Sequence, residues 1–358
     1  MSDAENAPEN APENASDDAP AGAAVDEERR AEYVELATRL AEDVLFANAT
    51  AVDNGERELS GNLDVLAEHG FYGAMLPREV GGLGVDFATA GLLGEILAAG
   101  CLSTTLTLGQ HQGITGVLAG QGSPEQRERW LPGLASGKLR TGAAFTGAIP
   151  GPPRLTVRET PGGFRLDGVA PWVSGWGMVQ LLGTAARDAD DNVAWMLIDA
   201  EESPTLRVRP QRMLAANATN TVTAEFTGHP VPKDRLITVG TLAGHAQSEP
   251  FTKRLNGALV LGVARRSVQL LDEPGWAAEL DECRAELDAL ADVDEARARA
   301  GEFAVRAATA TVVRGAGRGV LHDGVPQRLL REAGLMLVFS SRPAIQEGLL
   351  RRLAGGRG

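Results

Sequence analysis

The sequence predicts a multidomain α+β protein in which an N-terminal helical domain, a central antiparallel β domain and a C-terminal helical bundle follow one another. Three observations carry that prediction. The hydrophobic period is near 3.6 up to about residue 140, falls to two between residue 141 and about 235, and returns to 3.6 after Pro250. A length of 358 residues provides for two or three domains. A hydrophobic content of 43%, with 23% charged residues and 43 glycines, fits an enzyme-sized folded chain rather than a coiled coil or a wholly disordered one.

Residues 1–28 read as a disordered acidic tail. Met1 to Val25 repeat Ala-Pro-Glu-Asn and hold six acids with no Lys or Arg, a composition with too little apolar surface to bury. Residues 29–140 read as the first helical domain. Tyr33, Leu36, Ala37, Leu40 and Val44 make one buried stripe, and Leu63, Leu66 and Ala67 make a second behind a Ser60 cap and ahead of a Gly70 stop. Phe87–Ala99 and Leu102–Ala119 continue the pattern, and Ser123-Pro124-Glu125-Gln126 places a cap and an N1 proline before another helix. Residues 141–235 read as the β domain, with alternation in Phe164–Val169 and Thr221–Phe226 and turn signals at Pro161-Gly162-Gly163 and Asp188–Asn192. Residues 236–358 read as the bundle, opened by Leu255, Ala258, Leu259, Gly262 and Val263.

The charges sum to 34 − 48 = −14, which disfavours nucleic acid and anionic lipid as partners. Cys101 and Cys283 form neither a CxxC nor a Cys/His cluster, so no metal site and no disulfide framework is expected. No apolar run approaches the roughly 20 residues of a membrane span, and the N-terminus is acidic where a signal peptide is basic. A cytoplasmic location is expected.

Leu76-Pro77-Arg78-Glu79-Val80-Gly81-Gly82-Leu83-Gly84 resembles the Pro-x-x-x-Gly-Gly-x-Gly stretch of the acyl-CoA dehydrogenase family. Gly122-Ser123-Pro124-Glu125-Gln126-Arg127-Glu128-Arg129-Trp130-Leu131-Pro132 resembles a second phrase of that family, in the same order and helical setting. The resemblance spans about residues 29–353 and implies FAD as cofactor. Ala144-Phe145-Thr146-Gly147 is similar to the strand whose threonine and amides meet the flavin pyrimidine edge, though the usual Glu-Pro and Gly-Ser-Asp are absent. Gly168-Val169-Ala170-Pro171-Trp172-Val173-Ser174 is similar to Gly-x-Lys-x-Trp-Ile-Thr, which implies that Trp172 packs on the isoalloxazine and the Ser174 hydroxyl faces its N5. An indole supplies a flat apolar wall and a short hydroxyl one aimed donor. Ala316-Gly317-Arg318-Gly319 stands where the family's Gly-Gly-x-Gly meets a neighbouring subunit's flavin, while the family's Arg-x-x-Phe-Gly has no counterpart after Leu271–Trp276. That loss removes an arginine clamp from the pyrophosphate, for which Arg314 or Arg318 is the substitute.

Acyl-CoA dehydrogenation needs a carboxylate that takes the α-proton while a hydride leaves from the β-carbon. The family's common base position, aligned through Ile345-Gln346, falls on Ser340, and its alternative position falls on Lys253-Arg254. Neither is an acid. Glu347 copies the motif superficially but is expected on the surface of the last helix, and His111 is a weaker candidate inside a helix. The resemblance therefore implies an acyl-CoA dehydrogenase-like FAD-dependent oxidoreductase for an acyl thioester or related substrate, degenerate at its base. It would work in a homo-oligomer, in a mixed oligomer with a sister chain, or in a specialised pathway. The alternative is a non-catalytic structural or binding subunit that keeps the fold without the cofactor.

Overall fold

The protein is seen in a computed structural model that describes residues 21–149 and 151–355. Residues 1–20, and with them most of the expected tail, lie outside the described residues. Residues 21–28, assigned to that tail by composition, instead form the first turns of α1 (Ala21–Leu40), where an alanine-rich run has high helix propensity. The helix then passes through a π segment, Ala41–Phe46, into α2 (Ala47–Asp53). The wider turn moves the buried stripe on by one residue, from Val44 to Leu45, so that Ala37, Ala41, Leu45 and Ala49 face the core. Gly100 makes this contact possible, since a Cβ there would lie 2.7 Å from the Ala41 carbonyl oxygen.

Helix α3 (Ser60–Glu68) carries Ser60 as its first residue rather than as its cap, and Gly70 stops it at φ 78°. Beyond Gly70 the chain turns back on itself through Gly82, where a Cβ would lie 2.0 Å from the Leu76 carbonyl oxygen. There follow α4 (Phe87–Gly100), capped by the Asp86 carboxylate on the Thr89 amide, α5 (Leu102–Gln121) and α6 (Pro124–Ala135). At α6 Ser123 caps the helix as expected from the sequence, and Gln126 completes a reciprocal capping box.

Eight strands make one sheet: β1 (Thr141–Ala144), β2 (Leu155–Thr160), β3 (Gly163–Val173), β4 (Leu181–Arg187), β5 (Val193–Asp199), β6 (Leu206–Pro210), β7 (Val222–Pro232) and β8 (Leu236–Gly240), in the order β6-β7-β3-β2-β4-β5-β8 with β1 beside β4. The expected antiparallel β domain is present, with two refinements. The sheet is mainly but not wholly antiparallel, because β1 and β4 run parallel and β2 meets β4 in parallel. Strand β8, pairing with β5, extends the sheet past residue 235 to Gly240. Its buried core includes Leu166, Ala170, Leu182, Met196, Ala224 and Phe226, on alternate positions of their strands.

Helices α7 (Leu242–Leu271), α8 (Pro274–Ala289), α9 (Val293–Gly315), α10 (Val325–Met336) and α11 (Pro343–Leu353) complete the chain. Helix α7 lies against α4 at close range. Gly91 faces the Arg254 guanidinium, with a built Cβ 3.0 Å from Nη2, and a Cβ on Gly262 would lie 2.4 Å from that of Ala98. Glu95, fully buried on α4, ties that helix to both α7 and α8 by accepting from Arg265 and Arg284. Among the described residues no helix is long and apolar enough to cross a membrane, and no group of three or more His, Cys, Asp or Glu is placed to hold a metal.

Candidate active site at the sheet end and the α10–α11 turn

The first part of the site is built where β1 and β3 end. Phe145 and Thr146 open the turn after β1 and are half-buried. Gly147 presses this turn onto β3, since a Cβ there would lie 2.2 Å from the Val169 carbonyl oxygen. On β3 the register with β7 shifts between Ala170 and Val173, and within that bulge Trp172 adopts φ 64°. A bulge re-aims one side chain, and an aromatic residue in the left-handed region is held there by its surroundings at a cost. The indole is 53% exposed, between the buried Pro171 and Val173. It stands out of the sheet as a flat apolar surface.

Ser174 departs from the expectation of a free donor. Its Oγ lies 2.8 Å from Thr221 Oγ1, which lies 2.7 Å from Thr219 Oγ1, and Thr219 donates to the Ala216 carbonyl at 2.8 Å. Each hydroxyl has one proton. With that of Thr219 given to Ala216, Thr221 donates to Thr219 and Ser174 donates to Thr221. The Ser174 proton is committed inward, and only its lone pairs face outward.

The turn after β1 reaches the C-terminal helices through an aromatic run. Phe145 and Trp195 have ring centroids 6.4 Å apart, and Trp195 and His245 6.5 Å. One turn further along α7 stands Glu249, whose carboxylate accepts from Arg342 at 2.7 Å and lies 3.4 Å from Lys253. Burial works against its ionisation, but the hydrogen bond and charge of Arg342 with the charge of Lys253 outweigh it and hold the carboxyl below the ordinary glutamate range. Lys253 also pairs with Asp294 at 2.7 Å, without an aligned hydrogen bond.

Ser340 sits beside this ion-pair network, in the turn between α10 and α11. It takes φ 52°, and its Oγ accepts from Asn256 Nδ2 at 2.9 Å. Arg297, buried on α9, donates to the preceding carbonyl, that of Phe339, at 3.1 Å. Burial draws the Arg297 pKa down to about 10, with Asp294 opposing. Arg254, the neighbour of Lys253, points elsewhere and pairs with Asp288 at 2.6 Å.

The remaining sequence candidates lie apart. His111 is 1% exposed with both ring nitrogens used: Nε2 donates to the Leu134 carbonyl and Nδ1 accepts from the Thr141 amide, each at 3.1 Å. Desolvation pulls its pKa down to about 3, so it is a neutral clamp between α5, the end of α6 and β1. Glu347 is exposed on α11. Arg314 donates to Glu273 at 2.6 Å and to the Leu271 carbonyl, closing the end of α9 onto the α7–α8 turn. Gly317 and Arg318 are exposed in the short 3-10 turn Ala316–Val320, which packs on α9 and α10 and not on the sheet. The residues that sequence reasoning passed over are Glu249, Asn256, Asp294 and Arg297. Only the four-residue spacing of Glu249 and Lys253 on one helix was a local signal.

Residues 27–138 match the model of the acyl-CoA dehydrogenase N-terminal domain. The very long-chain specific acyl-CoA dehydrogenase of Mus musculus is 27% identical over 199 residues, a match that spans 51% of this chain and 30% of the mouse enzyme. The chain thus spans about a third of the length of the curated relatives of this kind that it matches. Among solved structures, a glutaryl-coenzyme A dehydrogenase in complex with glutaryl-CoA superposes with a TM-score of 0.81 at 18% identity, covering 92% of this chain and 96% of that one. PigA with FAD and proline gives 0.78 at 20% identity, covering 92% and 98%. At those identities the superpositions speak for the fold alone, while residues 27–138 match the acyl-CoA dehydrogenase N-terminal domain and about half of the chain is similar to curated acyl-CoA dehydrogenases.

Proposed function

We infer that the protein is an acyl-CoA dehydrogenase-like flavoprotein that acts on an acyl thioester or a related substrate. The observation that carries this reading is Trp172, an exposed indole held at φ 64° by a sheet bulge. The cost of that conformation is offset where a planar ring covers the indole. Phe145, Thr146 and the Ser174 hydroxyl oxygen would border the same ring system, and bound FAD would supply a two-electron acceptor. On this reading Trp172 stacks, Thr146 and the amides around it orient, and the neutral Ser340 stands where the family carries its base. The α-proton then needs a base from elsewhere, so a sister chain of the same family or a repurposed reaction accompanies the reading.

The second reading is a non-catalytic subunit that keeps the fold without the cofactor. Arg314 favours it, because its guanidinium is spent on Glu273 and Leu271 rather than left for a phosphate. In either reading the exposed Val313, Val320 and Leu321 at the end of α9 are the surface for a second copy or a sister chain. The visible spectrum of the purified full-length protein, after incubation with FAD and gel filtration, separates the two. A retained flavin band supports the first reading. Its absence overturns that reading in favour of the second.

A further inference from the structure

At the α10–α11 turn several donors lack a protein acceptor, and the buried acceptor left nearby, Asp294 Oδ1, is engaged by Lys253 only as an ion pair without an aligned hydrogen bond. Asn256 Nδ2 donates to Ser340 Oγ, so the serine's own proton is free to be given to a third group. The neighbouring Ser341 Oγ is buried with no partner. Arg297 is 2% exposed, donates one bond to Phe339, and leaves Nε buried with no partner. Three unspent donors therefore belong to, or lie against, one four-residue turn.

Charge points the same way. Around the turn Lys253, Arg297 and Arg342 face Glu249 and Asp294, three cations against two carboxylates. Lys253 and Arg342 are the cations paired with those acids. No carboxylate among the described residues lies within ion-pair distance of Arg297. The charge of Asp294 reaches Arg297 but is not in an ion pair with it, so a buried guanidinium that stays charged, with a pKa near 10, is only partly compensated. Water would satisfy the orphan donors but not the charge. An anion satisfies both.

Size comes from the neighbouring seam. Helices α4 and α7 are in close contact at Gly91 and Arg254 and at Ala98 and Gly262, which favours a compact ligand over one threaded between them at those levels.

We propose that Arg297, Ser340 and Ser341 form an anion-binding subsite for the carboxylate of a short acyl thioester, so that the ligand brings its own negative charge to the turn where Ser340 stands. The subsite rests on the acyl-thioester reading above. Ser340 and Ser341 donate to the carboxylate oxygens and Arg297 supplies the charge, while Asn256 keeps the Ser340 hydroxyl turned as a donor.

The test is calorimetric titration of the full-length protein with succinyl-CoA and with isocaproyl-CoA, in which an isopropyl group replaces the carboxylate at nearly the same shape. Succinyl-CoA should bind about tenfold or more tightly than isocaproyl-CoA, the advantage of a charge-assisted hydrogen bond. That advantage should shrink in Ser340→Ala and vanish in Arg297→Met. If Arg297→Met does not fold, the wild-type comparison and the half-buried Ser340 decide the matter. Equal binding of the two thioesters overturns the subsite and leaves the acyl-thioester reading standing. Binding of neither overturns both. Free succinate binding as tightly as succinyl-CoA overturns the assignment to a thioester.

Discussion

Two regions of the site have diverged in different ways from what the family resemblance implies. At the sheet end the indole that the resemblance implies is present: Trp172 is exposed and held in a left-handed conformation. At the α10–α11 turn the neutral Ser340 stands where the resemblance would put an acid, and the turn is tightly held. Ser340 keeps a left-handed backbone, Asn256 and Arg297 grip it from two helices, and Arg342 anchors its far side to Glu249. A turn without a role has no reason to stay over-determined by side chains from two helices. The comparison teaches that replacement of a reacting group differs from decay, and that the surrounding hydrogen bonds tell the two apart.

The largest effect should come from putting the acid back. With a neutral hydroxyl at residue 340, turnover of butyryl-CoA with an artificial electron acceptor is expected to be slight. Ser340→Glu should raise it by part of the roughly 10² to 10⁴ that general-base catalysis contributes. Lys253, Arg297 and Arg342 would keep the new carboxylate ionised. Robust wild-type turnover would break the comparison, since the turn would then lack nothing.

The next effect concerns the clamp on which the sheet-end turn depends. His111→Leu removes two hydrogen bonds that hold the start of β1, and should cost about 2–4 kcal/mol by leaving the Thr141 amide and Leu134 carbonyl unpaired. The pH dependence has a definite sign. The folded pKa is depressed to about 3 from an ordinary value of 6.5, so His111 stays neutral in the folded protein while the unfolded chain takes up a proton. Its contribution is complete above pH 6.5 and is lost as pH falls toward 3, at about 1.4 kcal/mol per pH unit. Urea midpoints between pH 7 and 4 should fall more steeply for wild type than for His111→Leu. Parallel slopes would show that His111 is charged in the folded state.

The order of helices, strands and helices was legible in the sequence because it rests on local periodicity, and so was the α6 cap, whose partners Ser123 and Gln126 are three residues apart. Trp172 was legible as a residue type. Its exposure was not, because a register shift against β7 decides where the indole points. The Ser174 relay joins partners 47 residues apart, and the Arg297 grip on Phe339 spans 42. Neither leaves a periodic trace. The π segment was missed for a different reason: it shifts a helical stripe by one residue, and Val44 and Leu45 serve equally well on paper.

A smaller and more selective effect is expected at the wall. Trp172 is exposed, so Trp172→Ala should change folding stability by less than about 0.5 kcal/mol. The same change should lower the flavin retained after gel filtration in the presence of FAD, read as the ratio of visible to ultraviolet absorbance. Unchanged retention would assign the indole to the sheet alone and remove the main contrast with the turn.

The smallest effect should be at Ser174, and it sharpens the contrast within the wall itself. If the resemblance governed, Ser174→Ala would remove an aimed donor and flavin retention would fall with it. The relay through Thr221 and Thr219 to the Ala216 carbonyl says otherwise, since the serine proton is already spent within the sheet. Deleting the hydroxyl leaves Thr221 without its incoming donor but with its own bond to Thr219 intact, so the cost should be about 1 kcal/mol of folding stability. Flavin retention should stay close to that of wild type. Thermal unfolding and absorbance on the same preparations of Ser174→Ala and Trp172→Ala give a crossed pattern: stability falls in one, retention in the other. A fall in retention for Ser174→Ala without a fall in stability would show that the relay reverses when the site fills, and that Ser174 turns its proton outward.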